Sequence, residues 1–161
     1  MNLREKLLTR EGLPNWREEL RRAGKTLVCT NGCFDLLHLG HVSYLEAARN
    51  LGDALLVAVN SDNSVRRLKG PKRPVNPEMD RALVLAALAS VDAVYIFPEP
   101  DARPFLELAK PDIYAKGGDY TLDTINQDER RLVESLGGRV AVLAGIPGRS
   151  TTTLLEKLGG H

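Results

Sequence analysis

Five short apolar, β-rich runs alternate with helical stretches along this chain, and no other feature limits its possible folds as much. The runs fall at residues 25–30 (KTLVCT), 53–59 (DALLVAV), 93–97 (AVYIF), 112–115 (DIYA) and 139–144 (RVAVLA). They are nearly continuous in apolar residues, the pattern of strands buried on both faces. Between them, residues 39–50 place Val42, Leu45 and Ala48 on one helical face, with Gly52 as a stop. Ser61 and Asp62 can cap a short helix reaching about Leu68, and Pro71, Pro74 and Pro77 mark an irregular connection. Further helices are predicted over 78–89, 102–109, 127–136 and 151–158. The expectation is an α/β, doubly wound, mainly parallel five-stranded sheet with helices on both faces. Residues 1–24, with Trp16 and Leu20, form a helical lead-in to a core over 25–158, giving one domain over 1–161.

A formal net charge of +1 provides no global field to draw the protein onto nucleic acid or an anionic membrane. Any anion site must therefore come from local placement of cations. The longest apolar stretch, 82–89, is too short to cross a bilayer, and Arg4, Glu5 and Lys6 interrupt any signal-peptide core. A cytoplasmic protein is expected. Cys29 and Cys33, with His38 and His41 close behind, raise the idea of zinc, but their spacings match no common structural zinc pattern. Cys29 reads instead as a small core residue and Cys33 as a turn residue.

Ligands of such sheets bind beyond the C-terminal ends of the strands. The segment after the first run is Thr30-Asn31-Gly32-Cys33-Phe34-Asp35-Leu36-Leu37-His38-Leu39-Gly40-His41. Two histidines flank a glycine where a helix begins, and a helix N-terminus offers free N–H groups and a positive dipole end to phosphate. Gly40 permits close approach of an anion, and imidazoles three residues apart can reach the same phosphate oxygens. Gly24-Lys25-Thr26 resembles the end of a P-loop, but Glu19 stands where glycine is needed and the segment precedes a strand. No G-x-G-x-x-G follows the first strand, which argues against a dinucleotide-binding oxidoreductase.

With these residues in view, the chain resembles the cytidylyltransferase-like nucleotidyltransferase superfamily, whose signature is H-x-G-H. TNGCFDLLHLGHVSYLEAAR, GDALLVAVNSDNSVRRLKG, RPVNP, KGGDY and STT occur in order over roughly 25–158. LKG-x-x-RPVNP together with KGGDY is similar to the heptose 1-phosphate adenylyltransferase group. The resemblance implies transfer of AMP from ATP to a sugar 1-phosphate, with magnesium accompanying ATP and held mostly by substrate and water, not by protein side chains alone. It assigns His38, His41 and Lys69 to catalysis. Thr30, Asn31, Gly32, Phe34, Gly40, Lys116, Gly117, Ser150, Thr151 and Thr152 then bind nucleotide, while Asp35, Asn60, Arg73, Arg81 and Asp119 bind the acceptor. Asp35 reads as a sugar-hydroxyl acceptor or an indirect magnesium partner. Ser150, Thr151 and Thr152 both cap the last helix and bind phosphate. Arg66, Arg67 and Lys72 stand open between a solvated face and a functional one.

The chemistry agrees with this assignment. A phosphate monoester, its second pKa about 6, is already a competent nucleophile at neutral pH, so positioning and charge neutralisation suffice without a general base. Glycerol-3-phosphate cytidylyltransferases share the H-x-G-H region but carry arginine five residues before the STT serine, where this chain has Gly145; here Arg149 directly precedes Ser150. TLDTINQDERR after KGGDY also departs from the bifunctional heptose enzymes, and a stand-alone form, without the kinase domain that often accompanies the activity, is expected. The alternatives are a cytidylyltransferase acting on glycerol 3-phosphate and a catalytically idle nucleotide-binding module. Relatives by this resemblance are commonly oligomeric, so a homo-oligomer, a homodimer, is expected.

Overall fold

In the computed structural model, described over residues 1–118, 120–145 and 149–159, the five apolar runs form one parallel sheet. Its strands are β1 (Leu27–Gly32), β2 (Ala54–Asn60), β3 (Ala93–Phe97), β4 (Ile113–Gly117) and β5 (Arg139–Leu143), in the order β3-β2-β1-β4-β5. All seven residues of β2 are buried, as a strand covered on both faces requires. One face carries α1 (Gly12–Arg22), α5 (Arg103–Ala109) and α6 (Gln127–Ser135), whose Leu13, Phe105, Leu106 and Val133 pack with Leu27, Cys29 and Tyr114. The other carries α2 (Leu39–Arg49) and α4 (Glu78–Ala86), whose Leu45, Ala48, Ala82 and Leu85 pack with Val28 and Val57. Two further helices, α3 (Asp62–Lys69) and α7 (Thr151–Gly159), flank the C-terminal end of the sheet's connections. Burying each large apolar side chain contributes about 1.5–3 kcal/mol, so these two layers supply the main cohesive force.

Aspartates secure the N-terminal edge of the sheet. Asp53, Asp92 and Asp112 stand just before strands and accept backbone N–H groups of Thr26 (2.7 Å), Leu55 (2.8 Å) and Leu27 (2.8 Å). Each carboxylate satisfies a donor on the neighbouring chain segment that would otherwise be orphaned. Arg17 of α1, almost fully buried, donates to Lys110 O and Asp112 Oδ2, both at 3.1 Å.

The first residues, besides carrying α1, also extend the sheet. After a 3-10 turn at Leu3–Lys6, Leu7 bridges Val94 in parallel and the Leu8 N–H donates to Val94 O at 2.8 Å. This bridge covers part of the exposed edge of β3, a common protection against edge-to-edge pairing. Residues 3–8 (LREKLL) carry no strand alternation, so the sequence pattern does not disclose it.

From β1 the chain winds outward through β2 and β3, then crosses back to place β4 against the other side of β1. The order reverses between β1 and β4, and this switch point opens a crevice at the C-terminal strand ends. No helix among the described residues is long and apolar enough to cross a membrane.

Candidate active site

The crevice holds an open cavity of about 740 Å³, with Asn31 and Gly32 from β1 and Gly117 and Gly118 from the end of β4 in its walls. Phe34 then takes a left-handed backbone conformation (φ 48°), unusual for a bulky residue. Its ring folds over Gly32, where a Cβ would approach Phe34 Cε2 to 2.9 Å, and lies 5.3 Å from the His41 ring. The turn thereby brings the chain directly into α2.

His38 is the N-cap of α2. Its Nδ1 accepts the Gly40 N–H at 3.0 Å, so Nδ1 carries no proton and Nε2–H is the available donor. A side chain at position 40 would collide with that ring, its Cβ meeting His38 Cε1 at 2.8 Å. His38 and His41 stack with centroids 3.9 Å apart and planes 28° apart. His38 Nε2 and His41 Nδ1 are both buried, with no hydrogen-bond partner among the described residues. Unpaired buried polar atoms cost roughly 1–3 kcal/mol each, which a bound phosphate could offset.

Both rings are held neutral. Burial, then the charge of Arg149, lowers the His38 pKa. Burial, followed by His38 and Lys69, lowers that of His41 to about 4. The pair therefore meets a ligand as N–H dipoles, while Lys69, Arg73 and Arg149 on the cavity wall supply the positive charge.

The depressed His41 value has a consequence for stability. The unfolded chain takes up this proton near its ordinary 6.5, whereas the folded chain does so only near 4. Its contribution is thus complete above 6.5 and declines as pH falls toward 4. Denaturant titrations across this interval should show wild type losing about 2 kcal/mol more than His41→Gln, a value discounted for partial exposure of the ring. Parallel pH profiles would disprove the assignment.

The α7 N-terminus meets the cavity from the opposite side. Ser150 Oγ caps it, accepting the Thr153 N–H at 3.0 Å, and Thr152 lies on the cavity wall. Thr151 is buried and donates its hydroxyl to Leu36 O at 3.1 Å, binding α7 to the histidine loop. Two helix N-termini thus face one cavity, each offering backbone N–H groups to an anion.

Several predicted contacts have structural roles instead. Asp35 borders the cavity, but its carboxylate is engaged within the fold: it accepts Arg73 Nε at 2.8 Å and the N–H groups of Val75 and Asn76. Burial would raise its pKa, but the bonds from Asn76, Val75 and Arg73 outweigh that and lower it. Asp35 therefore fixes the RPVNP loop, and its side chain is only 1% exposed. Arg81 is buried, and its guanidinium is consumed by Asn76 O, Cys33 O, Asn60 O and Asp62 Oδ1. Asn60 is buried with its Nδ2 on Ser64 Oγ, and Thr30 is buried between Tyr44 and Ala115 O. Lys116 lies behind the wall, its Nζ 3.4 Å from Tyr114 Oη. Asp119 lies outside the described residues.

Tyr44 is a cavity residue the sequence reading passed over; its i, i+3 spacing from His41 places it on the same helical face. Its ring packs against Gly117, where a Cβ would meet Tyr44 Cε2 at 2.8 Å. Cys29 is wholly buried in β1, and no group of three or more His, Cys, Asp or Glu among the described residues is arranged to hold a metal.

A switch-point crevice with two helix N-termini, a histidine pair and flanking cations defines a nucleotidyltransferase of the α/β class. The chain belongs to the cytidylyltransferase-like family, which it matches over residues 29–149. It is 51% identical over 153 residues to the bifunctional protein HldE of Syntrophotalea carbinolica, covering 95% of this chain and 31% of that protein. Its identity to the HldE of Methylobacillus flagellatus is 53% over 144 residues, covering 89% of this chain and 28% of the relative. The chain thus spans less than a third of the length of these relatives. Among solved structures, a lipopolysaccharide core biosynthesis protein from Thermoplasma volcanium aligns with a TM-score of 0.63 at 32% identity, over 76% of this chain and 98% of that one. A pantoate-beta-alanine ligase from Francisella tularensis shares the fold, with a TM-score of 0.63 at 16% identity over 91% of this chain and 68% of that one.

Proposed function

We propose that this chain transfers AMP from ATP to a sugar 1-phosphate, namely heptose 1-phosphate, and releases pyrophosphate. The observation that carries the reading is the convergence of the α2 and α7 N-termini, the unpaired His38 and His41 nitrogens, and Lys69, Arg73 and Arg149 on one cavity. In the reaction an acceptor phosphate oxygen attacks the α-phosphorus in line. A new P–O bond forms as the bond to the β-phosphate oxygen breaks, and pyrophosphate leaves with that electron pair.

The triphosphate lies across the two helix N-termini, with the histidines donating to oxygens on which charge develops. Arg73 serves the acceptor phosphate: Asp35 fixes its Nε, while the buried Nη2 has no partner among the described residues. Because the acceptor arrives ionised, no general base is needed. Magnesium, when bound, offsets phosphate charge. Asp35 is the only carboxylate among the described residues lining the cavity, and it is 1% exposed and engaged by Arg73, Val75 and Asn76, so substrate oxygens and water would supply most of the magnesium ligands. The heptose assignment follows the LKG-x-x-RPVNP and KGGDY motifs and agrees with the relative described as a lipopolysaccharide core biosynthesis protein.

The test is magnesium-dependent pyrophosphate release with ATP or CTP, each paired with heptose 1-phosphate or glycerol 3-phosphate. Turnover is expected for ATP with heptose 1-phosphate alone. Turnover with CTP and glycerol 3-phosphate would overturn the substrate assignment, and nucleotide binding without release from any pair would overturn the transfer.

A further inference from the structure

A second hollow, of about 520 Å³, adjoins the main cavity and shares Arg73 and Thr152 with it. Leu155, Glu156 and Gly159 of α7 complete its lining among the described residues. Thr152, Leu155, Glu156 and Gly159 are spaced at i, i+3, i+4 and i+7, so they share one face of the helix. That face looks across the hollow to Arg73 of the RPVNP loop. Thr151 fastens α7 in this position through its bond to Leu36 O at 3.1 Å.

Charge divides the two spaces. Lys69 and Arg149 make the main cavity attractive to a triphosphate, whereas the hollow carries a carboxylate, Glu156, opposite Arg73. A second phosphate would be repelled there, and an uncharged polyol would not. Arg73 sets the junction: Asp35 holds its Nε at 2.8 Å, and its buried Nη2 has no partner among the described residues. With the acceptor phosphate on that nitrogen, the attached sugar starts beside Arg73, one bridging oxygen away from the phosphorus. Nucleotide fills the space on one side of Arg73, and the hollow is the space on the other. Its lining suits a sugar, since an exposed carboxylate accepts hydrogen bonds from hydroxyls and a leucine side chain packs against carbon-bound hydrogens.

We propose that this hollow binds the sugar of the acceptor, with Glu156 accepting its hydroxyls and Leu155 packing on its carbon face. The proposal rests on the acceptor reading of Arg73. The N-terminus of α7 then faces the triphosphate, while the side of the same helix reads the sugar. Discrimination follows from the same contacts. A phosphate without a sugar gains nothing from Glu156 and is repelled by it, so the site favours a sugar phosphate over inorganic phosphate.

Calorimetric binding of heptose 1-phosphate and of inorganic phosphate tests this on the whole chain saturated with α,β-methylene-ATP, in which carbon replaces the oxygen of the bond that would break. Glu156→Ala should bind heptose 1-phosphate about tenfold more weakly than wild type, the loss expected when hydrogen bonds to a charged group are removed. Leu155→Trp, which fills the hollow, should weaken it by at least about tenfold. Neither variant should lose affinity for inorganic phosphate or for the ATP analogue by more than about twofold. Thermal melting confirms that both fold. Wild-type affinity for heptose 1-phosphate in either variant would overturn the inference. So would an equal loss for inorganic phosphate, which would leave both residues as supports of Arg73. A wild type that binds no heptose 1-phosphate would instead sink the acceptor reading, and one that binds it but releases no pyrophosphate from ATP would sink the transfer alone.

Discussion

His41→Ala is expected to lower kcat by about 10²–10³-fold while changing ATP affinity by less than tenfold. The asymmetry follows from how the cavity divides its work. In the proposed site ground-state triphosphate meets many groups, including two helix N-termini, Lys69 and Arg149 on the cavity wall, so loss of one neutral ring should remove a small share of that attraction. Charge that develops on the α-phosphate and its leaving oxygen has fewer partners. His41 is stacked at 3.9 Å on His38 and packed beside Phe34, so it cannot swing away and needs no reorganisation to meet that charge. Preorganised donors in a desolvated pocket act mainly on the transition state. Steady-state kinetics with heptose 1-phosphate, paired with calorimetric ATP binding, checks the division. A variant that loses affinity and keeps kcat would place His41 in ground-state binding only.

The histidine site is legible in the sequence because its logic is local. His38, Gly40 and His41 lie within four consecutive positions, and their arrangement follows from the N-cap and first turn of α2. The sheet is legible for a similar reason, since burial on two faces leaves a continuous apolar run that needs no knowledge of neighbours. Asp35, Arg81 and Thr30 read differently because their partners are distant in the chain. Asp35 meets Asn76, Arg81 meets Cys33 and Thr30 meets Ala115, each across a long sequence interval. A motif tells which polar residue stands near a strand end, but whether its lone pairs are already committed depends on the tertiary fold. Tyr114 reads the same way, since its hydroxyl meets Glu129 of α6 at 2.7 Å, a partner the strand pattern does not disclose.

Arg81→Met is expected to unfold much of the protein's population at moderate temperature, although the substitution retains most of the side-chain volume. The guanidinium joins three separate segments: Nε donates to Asn76 O at 2.9 Å, Nη1 to Cys33 O at 2.7 Å and Asn60 O at 2.9 Å, and Nη2 to Asp62 Oδ1 at 2.8 Å. Methionine leaves three carbonyls and one carboxylate without that donor, in a place where the Arg81 side chain itself is 0% exposed. Breaking a buried, hydrogen-bonded charge pair costs about 3–5 kcal/mol, against a total stability of about 5–15 kcal/mol for a domain. A fall in Tm of about 10 °C follows for a chain of this size. Arg81→Lys retains the charge but not the planar fork, and it should recover less than half of the loss. A phosphate-contacting arginine would behave in the opposite way, with Tm unchanged, ATP affinity reduced and lysine a fair substitute. Thermal melts of the two variants without nucleotide separate these roles: a Tm equal to wild type in both would return Arg81 to the ligand, and a large fall in both keeps it as the bolt that holds the cavity loops to the sheet.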